Sequence, residues 1–400
     1  MKILTITNKY PPNVTGGAEI AAALNVDILR DMGHDVKVIT EFEPPQSCYK
    51  DKNVGLCVSR MHNSFGVLGR LKKMIKKLGF HANDCFGRSK TIKYDEEIKA
   101  FNPDVCHIHN VQGIGYRTFE YIGSLNLPTL VTFHDYSLIC INQSKYYKGK
   151  PCQKEHAICE FTSVFKKKYL RNIKNLGISA PSNYLLGIVS QEIGCNARFL
   201  RQWDLPIQLQ PRLTRPQKSA GELNIGFIGR LDHSKGAHLL GNIINRCPDN
   251  IIFKIAGQGI LEAELHQSLS WRKNVQFIGF CPKNKLSDFY NQIDVLIVPS
   301  QWQEIYSLVV REAISQGVPC IVSNRGALPD LVDQSVGWVL DANNTNDWVK
   351  LISKINNDPS MFHCKSEKCL QIASEKTNFA SASQCLLMFQ ELLKTNHVKS

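Results

Sequence analysis

The stretch that decides the fold is Val298–Pro319, which reads Val-Pro-Ser-Gln-Trp-Gln-Glu-Ile-Tyr-Ser-Leu-Val-Val-Arg-Glu-Ala-Ile-Ser-Gln-Gly-Val-Pro. The apolar run Val295–Val298, which leads into it, predicts a buried parallel strand. After a short loop, Ser307 is a candidate N-cap, and Leu308–Gln316 predicts a helix that the following glycine and proline would end. A strand, a loop and a helix start in this order place a ligand at the carboxyl edge of a parallel sheet. The free N–H groups of the helix start favour an anion such as a diphosphate.

Two glutamates in this stretch lie eight positions apart, Glu304 in the loop and Glu312 inside the predicted helix. With Gly317-Val318-Pro319 after them, they resemble the E-x7-E signature of family-4 retaining glycosyltransferases, the group 1 enzymes of GT-B architecture. The resemblance implies an α/β fold with two Rossmann-like, doubly wound parallel-sheet domains facing a cleft. It also implies that Glu312 binds the ribose hydroxyls and that Glu304 binds hydroxyls of the donor sugar. Ile305-Tyr306-Ser307 replaces the usual Pro-Phe-Gly, which leaves the sugar selectivity open.

The length and composition of the chain bound its class. With 400 residues, 43% of them hydrophobic, it is long enough for two domains of ordinary size. It has no apolar run of about 18 residues, and Met1–Thr7 reads as a strand rather than a signal peptide. We therefore expect a cytoplasmic protein whose 14 scattered cysteines are free thiols. The formal charge of +13 favours nucleotide diphosphates, an acidic membrane surface or nucleic acid, but no base-reading motif supports the last.

The N-terminal residues predict a βαβ unit. Lys2–Thr7 and Asp35–Thr40 read as strands, and Ala18–Met32 between them reads as a helix. Gly16 and Gly17 precede this helix and would let a ligand approach the backbone closely, although a plain turn also accounts for them. The segment TGGAE around them resembles the N-terminal opening of the family. There the paired glycines lie under the donor phosphates and the acceptor.

Two further predicted strands, Asp104–Ile108 and Thr129–Phe133, are each followed directly by polar residues. Side chains at the carboxyl ends of parallel strands lie at the ligand-binding edge, which makes His109 and His134 candidates for the site. Asp135 follows His134 and could orient its ring. The segment VTFHDYSLIC resembles the histidine segment of the family, which implies that His134 contacts the donor sugar or the acceptor. His109 and Asp135 are assigned to the acceptor side.

The segment Gly229–Gly236 reads GRLDHSKG and links a predicted strand, Leu223–Ile228, to a predicted helix, Ala237–Cys247. An arginine and a lysine at such a turn can hold a diphosphate from two sides, although solvated surface charges are commoner. The segment resembles the donor phosphate site of the family, which implies this role for Arg230 and Lys235.

Glycine turns accompany this segment in the family. Gly257-Gln258-Gly259 resembles the turn that lines the donor site, so the resemblance implies donor contact for Gly229 and Gly257.

Residues 194–222 lose clear periodicity and contain Pro206, Pro211 and Pro216. We therefore place the domain boundary at 205–220.

The resulting domains are 1–210 and 211–378, with a C-terminal helix, 379–400, returning to the first domain. In the family, the second domain holds the nucleotide sugar.

Two patterns allow alternative interpretations of membrane contact. Val67–Leu78 predicts a basic amphipathic helix, which can lie on an anionic membrane surface or pack on the sheet with a solvated lysine face. A second basic stretch, Lys166-Lys167-Lys168 with Arg171 and Lys174, adds to the membrane interpretation.

Metal binding also has two interpretations. Cys140, Cys152, His156 and Cys159 form a cluster with spacings that are loose for a structural zinc site. The cluster is compatible with a set of reduced cysteines and also with a metal site. Asp294 stands alone at a strand start without a second aspartate to form a metal-binding pair, so we predict that the reaction needs no metal or other cofactor.

Because Arg230, Lys235, Glu304 and Glu312 all match motifs of the family, the resemblance implies a retaining glycosyltransferase. It would move a hexose or N-acetylhexosamine from a UDP- or GDP-linked sugar to a glycan or polyprenyl-diphosphate-linked acceptor. Family analogy places such a reaction in surface polysaccharide biosynthesis, lipopolysaccharide O-antigen or capsule, at the inner face of the plasma membrane. A sugar-nucleotide epimerase or hydrolase of GT-B fold is the alternative.

The predicted chemistry is electrostatic. Arg230, Lys235 and the helix start at Ser307, Leu308 and Val309 would stabilise the charge that grows on the leaving diphosphate. No residue is an evident nucleophile, so we do not expect a covalent intermediate.

Overall fold

The computed structural model describes residues 1–12, 16–41, 54–56, 79–147, 150–152, 156–193, 197–214 and 222–394, with the backbone alone at 54–56. The chain forms two compact units. Unit 1 comprises Met1–Ser144, Lys154–Pro206 and Asn378–Ser400, and unit 2 comprises Lys145–Gln153 and Ile207–Thr377. The short segment 145–153 therefore belongs to unit 2, whereas the division from sequence placed it in the first domain.

Strands and helices alternate along most of the described chain. The strands are β1 Lys2–Ile6, β2 Asp35–Thr40, β3 Val54–Leu56, β4 Val105–Ile108, β5 Thr129–Thr132, β6 Tyr146–Tyr147, β7 Lys150–Pro151, β8 Leu176–Ala180, β9 Phe199–Gln202, β10 Asn224–Ile228, β11 Ile252–Ala256, β12 Val275–Gly279, β13 Val295–Val298, β14 Cys320–Ser323 and β15 Gly337–Leu340. The helices are α1 Gly17–Asp31, α2 79–86, α3 Asp95–Phe101, α4 Thr118–Ser124, α5 Ala157–Leu170, α6 Asn183–Ile193, α7 Ala237–Asn245, α8 Glu262–Ser268, α9 Leu286–Asn291, α10 Leu308–Ser315, α11 Leu328–Leu331, α12 Thr345–Asn357, α13 Ser360–Glu375 and α14 Asn378–Leu393.

Unit 1 is built on a parallel sheet. Its described residues form seven strands in the order β3-β2-β1-β4-β5-β8-β9. Every residue of β4, β5 and β8 is buried, as expected for a sheet that helices cover on both faces. The strand order changes direction at β1, where Ile6 pairs with both Ile39 and Ile108. Such a switch point is where a doubly wound sheet offers a ligand site at its carboxyl edge.

The last helix of the chain, α14, belongs to unit 1. Trp203 is fully buried, and its Nε1 donates to the backbone oxygen of Ser381 at 2.9 Å. The ring of Phe389 lies 5.4 Å from the ring of His107 on β4. Helix α14 thus covers the sheet of unit 1 close to its carboxyl edge.

Unit 2 repeats the same design with six parallel strands in its described residues, in the order β12-β11-β10-β13-β14-β15. Apolar clusters lie on both faces of this sheet. One contains Phe253 of β11 and Trp348 of α12, and the other contains Leu296 of β13 and Val310 of α10. The α/β fold of two parallel-sheet units, predicted from the sequence, is confirmed.

Some elements differ from the predictions. Strands β9 and β15 and the hairpin of β6 and β7 were not predicted, and the segment Val67–Leu78 lies outside the described residues. Within the described ranges, no helix combines the length and the apolar character that crossing a bilayer requires.

Candidate functional site

The first part of the site is the connection between β10 and α7. Gly229 ends the strand with φ of 156° and donates its N–H to Ala256 at 3.0 Å. Gly257 has φ of 138°, and a Cβ at this position would lie 1.8 Å from the oxygen of Gly229. The two loops therefore touch through bare backbone, and only glycine fits at the contact.

Lys235 lies at the centre of the unit 2 site. Its Nζ is 2.7 Å from Oε1 of Glu304, and the hydroxyl of Ser300 donates to the same oxygen at 2.7 Å. The ammonium also lies 5.1 Å from the ring centre of Trp302, a cation–π distance. Glu304 is buried, so its charge depends on Lys235 for compensation.

Arg230 stands apart from this pair. Its side chain is 72% exposed, and its Nη2 is 3.5 Å from Oδ2 of Asp232. The other oxygen of Asp232 accepts from the hydroxyl of Ser234 at 2.6 Å and from the backbone N–H of Lys235 at 3.0 Å. Asp232 thus shapes the loop, while the guanidinium of Arg230 remains accessible to an anion.

Backbone contacts hold Glu304 in place. The backbone oxygen of Glu304 accepts the N–H of Ala327 at 2.6 Å, and the N–H of Gly326 donates to the side chain of Gln303 at 2.7 Å. Gly326 has φ of 58°, and a Cβ there would lie 2.0 Å from the oxygen of Glu304. The loop after β14, which the sequence analysis did not assign to the site, therefore fixes the loop that carries Glu304.

Helix α10 begins after Ser307, as predicted, but the side chain of Ser307 makes no capping hydrogen bond. Ser307 therefore occupies the predicted N-cap position without capping the helix through its hydroxyl. Helix geometry leaves the first N–H groups, including those of Leu308 and Val309, without intrahelical acceptors. An anion at this helix start would meet both these donors and the positive end of the helix dipole.

Glu312 is buried on α10. The hydroxyl of Tyr290 donates to its Oε2 at 3.1 Å and lies 3.2 Å from the oxygen of Val309. Burial raises the pKa of Glu312 to about 7, and the hydrogen bond from Tyr290 opposes that shift. No motif in the sequence points to Tyr290, because this residue lies on α9, a separate element.

In unit 1, the start of α1 carries its own carboxylate. The N–H of Gly16 donates to Oε2 of Glu19 at 2.8 Å, and Glu19 is buried. Gly17 is the first residue of the helix. A phosphate at Gly16 would have to displace this carboxylate or share its donor, so the helix start is less ready for an anion than the paired glycines suggest.

The carboxyl edge of the unit 1 sheet carries three neighbouring histidines. His109 Nδ1 lies 2.8 Å from His134 Nε2. The ring of His107, which was not assigned from the sequence, lies 4.0 Å from the ring of His109 at a tilt of 40°, and its Nε2 is 2.8 Å from the hydroxyl of Thr132. The remaining ring nitrogens, His109 Nε2 and His134 Nδ1, are buried without a hydrogen-bond partner in the described part of the chain.

Burial keeps these rings neutral. It lowers the pKa of His107 to about 3, with a smaller effect from His134, and it lowers the pKa of His134 to about 4. The pKa of His109 also falls well below 6.5, through burial and both neighbouring rings. The cluster can therefore donate and accept hydrogen bonds but carries no charge near neutral pH.

Asp135 does not orient His134, which corrects the prediction. Its Oδ1 accepts the backbone N–H of Ser137 at 2.7 Å, and the oxygen of Ser137 accepts from the buried Lys166 at 2.7 Å. The ring of His134 is held by His109 instead. Asp135 therefore shapes the turn that follows β5.

The metal alternative receives no geometric support. In the residues that the structure describes, no group of three or more histidine, cysteine or acidic side chains is arranged to hold a metal ion. Cys140 and Cys159 are buried free thiols, and they interact with each other.

Residues 213–376 match the model of the family described as glycosyl transferases group 1. A 42.6 kDa protein in the cps region of Klebsiella pneumoniae is 24% identical over 83% of this chain and 87% of its own length. The glycosyltransferase MJ1607 of Methanocaldococcus jannaschii is 26% identical over 86% of both chains. The family match and these relatives support a glycosyltransferase.

Solved structures agree on the fold. The sucrose-phosphate synthase of Thermosynechococcus elongatus has a TM-score of 0.74 at 17% identity and covers 98% of this chain and 99% of its own. HepE of Anabaena, solved in complex with UDP-glucose, has a TM-score of 0.63 at 15% identity and covers 99% of this chain and 100% of its own. The fold is GT-B.

Proposed function

We propose that this chain, whose residues 213–376 form a glycosyl transferases group 1 domain within a GT-B fold, is a retaining family-4 hexosyltransferase. It moves a hexose or N-acetylhexosamine from a UDP- or GDP-linked sugar to a glycan or lipid-linked acceptor. The observation that carries the proposal is the contact of Lys235 with Glu304 at 2.7 Å, at the carboxyl edge of the unit 2 sheet. One cation and one carboxylate side by side suit a diphosphate and a sugar hydroxyl.

The diphosphate of the donor binds to Lys235, Arg230 and the start of α10. The ammonium of Lys235 is already held by Glu304 and Trp302, so little ordering remains when a phosphate arrives. The exposed guanidinium of Arg230 can turn from Asp232 toward a phosphate and bind it in a bidentate way. These cations, with the N–H groups of the helix, stabilise the leaving diphosphate without a metal ion.

Two carboxylates select the sugar parts of the donor. Glu304, fixed through Ser300 and Lys235, accepts hydrogen bonds from hydroxyls of the transferred sugar. Glu312 accepts hydrogen bonds from the ribose, which requires its ionised form. Because burial raises the pKa of Glu312 to about 7, the ribose competes with a proton for this carboxylate. Gly229 and Gly257, whose loops touch through bare backbone, line the donor site.

Unit 1 supplies uncharged groups to the reaction. His134 has a buried Nδ1 without a partner among the described residues, which supports a hydrogen bond to a sugar hydroxyl. His109 positions that ring through a hydrogen bond of 2.8 Å. Gly16 and Gly17 form the backbone surface beside the acceptor. The sequence offers no evident nucleophile, so the proposed reaction proceeds without a covalent enzyme intermediate.

The biological setting follows from a relative and from family analogy. The relative in the cps region of Klebsiella pneumoniae supports a role in polysaccharide biosynthesis. The acceptor is then a growing glycan on a polyprenyl diphosphate, and the reaction takes place at the cytoplasmic face of the membrane. The basic charge of +13 suits the anionic donor and the anionic lipid carrier, and no nucleic acid is involved.

Calorimetric binding of UDP and of GDP, each in the presence of a chelator, tests the donor site. Binding of one nucleotide identifies the donor class, and loss of that binding in Arg230→Ala assigns it to this loop. Failure of both nucleotides to bind would contradict the proposal. Product analysis with the matching sugar nucleotide then separates transfer from epimerisation or hydrolysis, which would consume or isomerise the donor without an acceptor.

A further inference from the structure

Helix α5 of unit 1 carries an apolar face that is open to solvent. Ile158, Phe161 and Val164 are 45%, 54% and 63% exposed. The rings of Phe161 and Phe165 are 5.2 Å apart, and Phe86 at the end of α2 packs 5.9 and 4.9 Å from them. These five residues are called the α5 apolar face.

The opposite side of α5 holds the helix on unit 1. Cys159, Thr162 and Leu170 on that side are buried, so the helix is anchored by one face, and the described residues leave the apolar face uncovered. Single exposed apolar residues are ordinary, but a contiguous cluster of aromatic rings marks a surface that another body covers. Neither the donor loops nor the histidine cluster uses this face.

Basic side chains follow the apolar face along the chain. Lys168, Arg171 and Lys174 are exposed, and Lys168 lies one helical turn beyond Val164. The exposed Glu160 opposes these charges, and Lys167 is paired with Glu192. The surface therefore joins aromatic residues to an excess of positive charge, the combination that binds an anionic lipid interface.

We propose that the α5 apolar face docks this protein on an anionic lipid bilayer. Phe161 and Val164 enter the boundary between headgroups and acyl chains, and Lys168, Arg171 and Lys174 contact the lipid phosphates. A second copy of the chain fits this face less well, because its own basic residues would repel those opposite. The proposal deepens the membrane setting of the proposed function and rests on it, while its test does not depend on the donor site.

Vesicle co-sedimentation of the full chain tests the proposal. Vesicles of phosphatidylcholine alone are compared with vesicles that also contain phosphatidylglycerol. The wild type should bind the anionic vesicles, and added salt should weaken this binding because charge contributes to it. Replacing Phe161→Ser together with Val164→Ser should reduce the partition coefficient by about tenfold or more, since both side chains lose apolar insertion.

A matched control and a charge variant sharpen the test. Phe379→Ser removes a side chain that is 62% exposed on α14 and should bind vesicles like the wild type. Lys168→Glu with Arg171→Glu should lose the preference for anionic vesicles. Unchanged thermal unfolding and unchanged nucleotide binding in the Phe161→Ser, Val164→Ser variant show that loss of docking is not loss of the fold or of the donor site.

Two results would overturn the proposal. One is vesicle binding of the wild type that equals that of the Phe161→Ser, Val164→Ser variant, whether both bind or neither does. The other is a dimer of the wild type, detected by light scattering, that the same variant abolishes. That result would assign the α5 apolar face to a second copy of the chain.

Discussion

The two units place opposite chemistry at the carboxyl edges of similar sheets. Unit 2 gathers charged side chains, with Lys235 held against the buried Glu304 and Arg230 left exposed nearby. Unit 1 gathers His107, His109 and His134, which burial keeps neutral. The first arrangement suits a charged diphosphate, and the second suits uncharged sugar hydroxyls. The sheet thus determines where a ligand binds, while the loop residues determine which kind of ligand it is.

The largest expected effect is loss of the unit 2 cations. Lys235→Ala or Arg230→Ala should lower kcat/KM for transfer by about 100-fold or more, because a preorganised charge on the leaving diphosphate is removed. Lys235→Ala also leaves Glu304 buried without its cation, so the double variant Lys235→Ala, Glu304→Gln serves as a stability control. Turnover near the wild-type level in both single variants would contradict the assignment.

The contact between the two glycine loops should be the next most sensitive. Gly257→Ala forces a side chain against the oxygen of Gly229 at a positive φ, and we expect a loss of about 2–3 kcal/mol in the free energy of unfolding. Gly187→Ala on α6 is the matched control, since a Cβ there has nothing within 4 Å and alanine favours a helix. Denaturant unfolding measures both, and equal stability of the two variants would refute the close contact.

The pH dependence of nucleotide binding examines Glu312. With a pKa of about 7, the carboxylate takes up a proton as the pH falls, so affinity should drop about tenfold from about pH 8 to about pH 6. Glu312→Gln should bind weakly and lack this dependence, which also controls for titration of the nucleotide itself. Calorimetry at several pH values gives both curves.

Glu312 should also affect the pH dependence of stability, in the direction opposite to its effect on nucleotide affinity. Because the folded-state pKa of Glu312 lies above the ordinary 4.5, the folded protein loses stability as the pH rises from 4.5 through 7. Glu312→Gln should abolish this loss. A wild-type thermal midpoint that follows the same course as that of the variant over this range would show that Glu312 titrates normally.

The smallest effect concerns the histidine cluster of unit 1. NMR titration of the ring protons should find His134 and His107 uncharged down to about pH 5, in keeping with pKa values of about 4 and about 3. Since these pKa values lie below 6.5, the unfolded protein takes up protons more readily than the folded protein. The free energy of unfolding should therefore decrease as the pH falls from 6.5 toward 4. A ring that titrates near 6.5 would remove the contrast with unit 2.

Regular elements were predictable where hydrophobic period and turn residues agree. The bounds of β2 and β13 match the sequence prediction at both ends. Strand β9 was missed because three of its four residues are exposed, and the hairpin of β6 and β7 was missed because each strand has two residues. Strands this short or this exposed do not show the alternation of apolar and polar residues from which a strand is predicted.

The candidate site was predictable only in part. Motif residues such as Lys235 and Glu304 could be named as candidates from the sequence, but Tyr290 could not, because it meets Glu312 through the tertiary fold. The prediction that Asp135 orients His134 was wrong because its carboxylate accepts the backbone N–H of Ser137, two residues on, a local alternative that sequence order alone does not reveal.

The position of α14 has a consequence for biosynthesis. Unit 1 begins at Met1 yet is completed only by Asn378–Ser400, after all of unit 2 has been made. Chains emerge from the ribosome N-terminus first. Until α14 arrives, the nascent sheet lacks the backbone oxygen that accepts from Trp203 and the Phe389 ring beside His107. The first unit to be synthesised is therefore the last to finish folding, and truncation before residue 378 would leave its apolar surface exposed to chaperones and proteases.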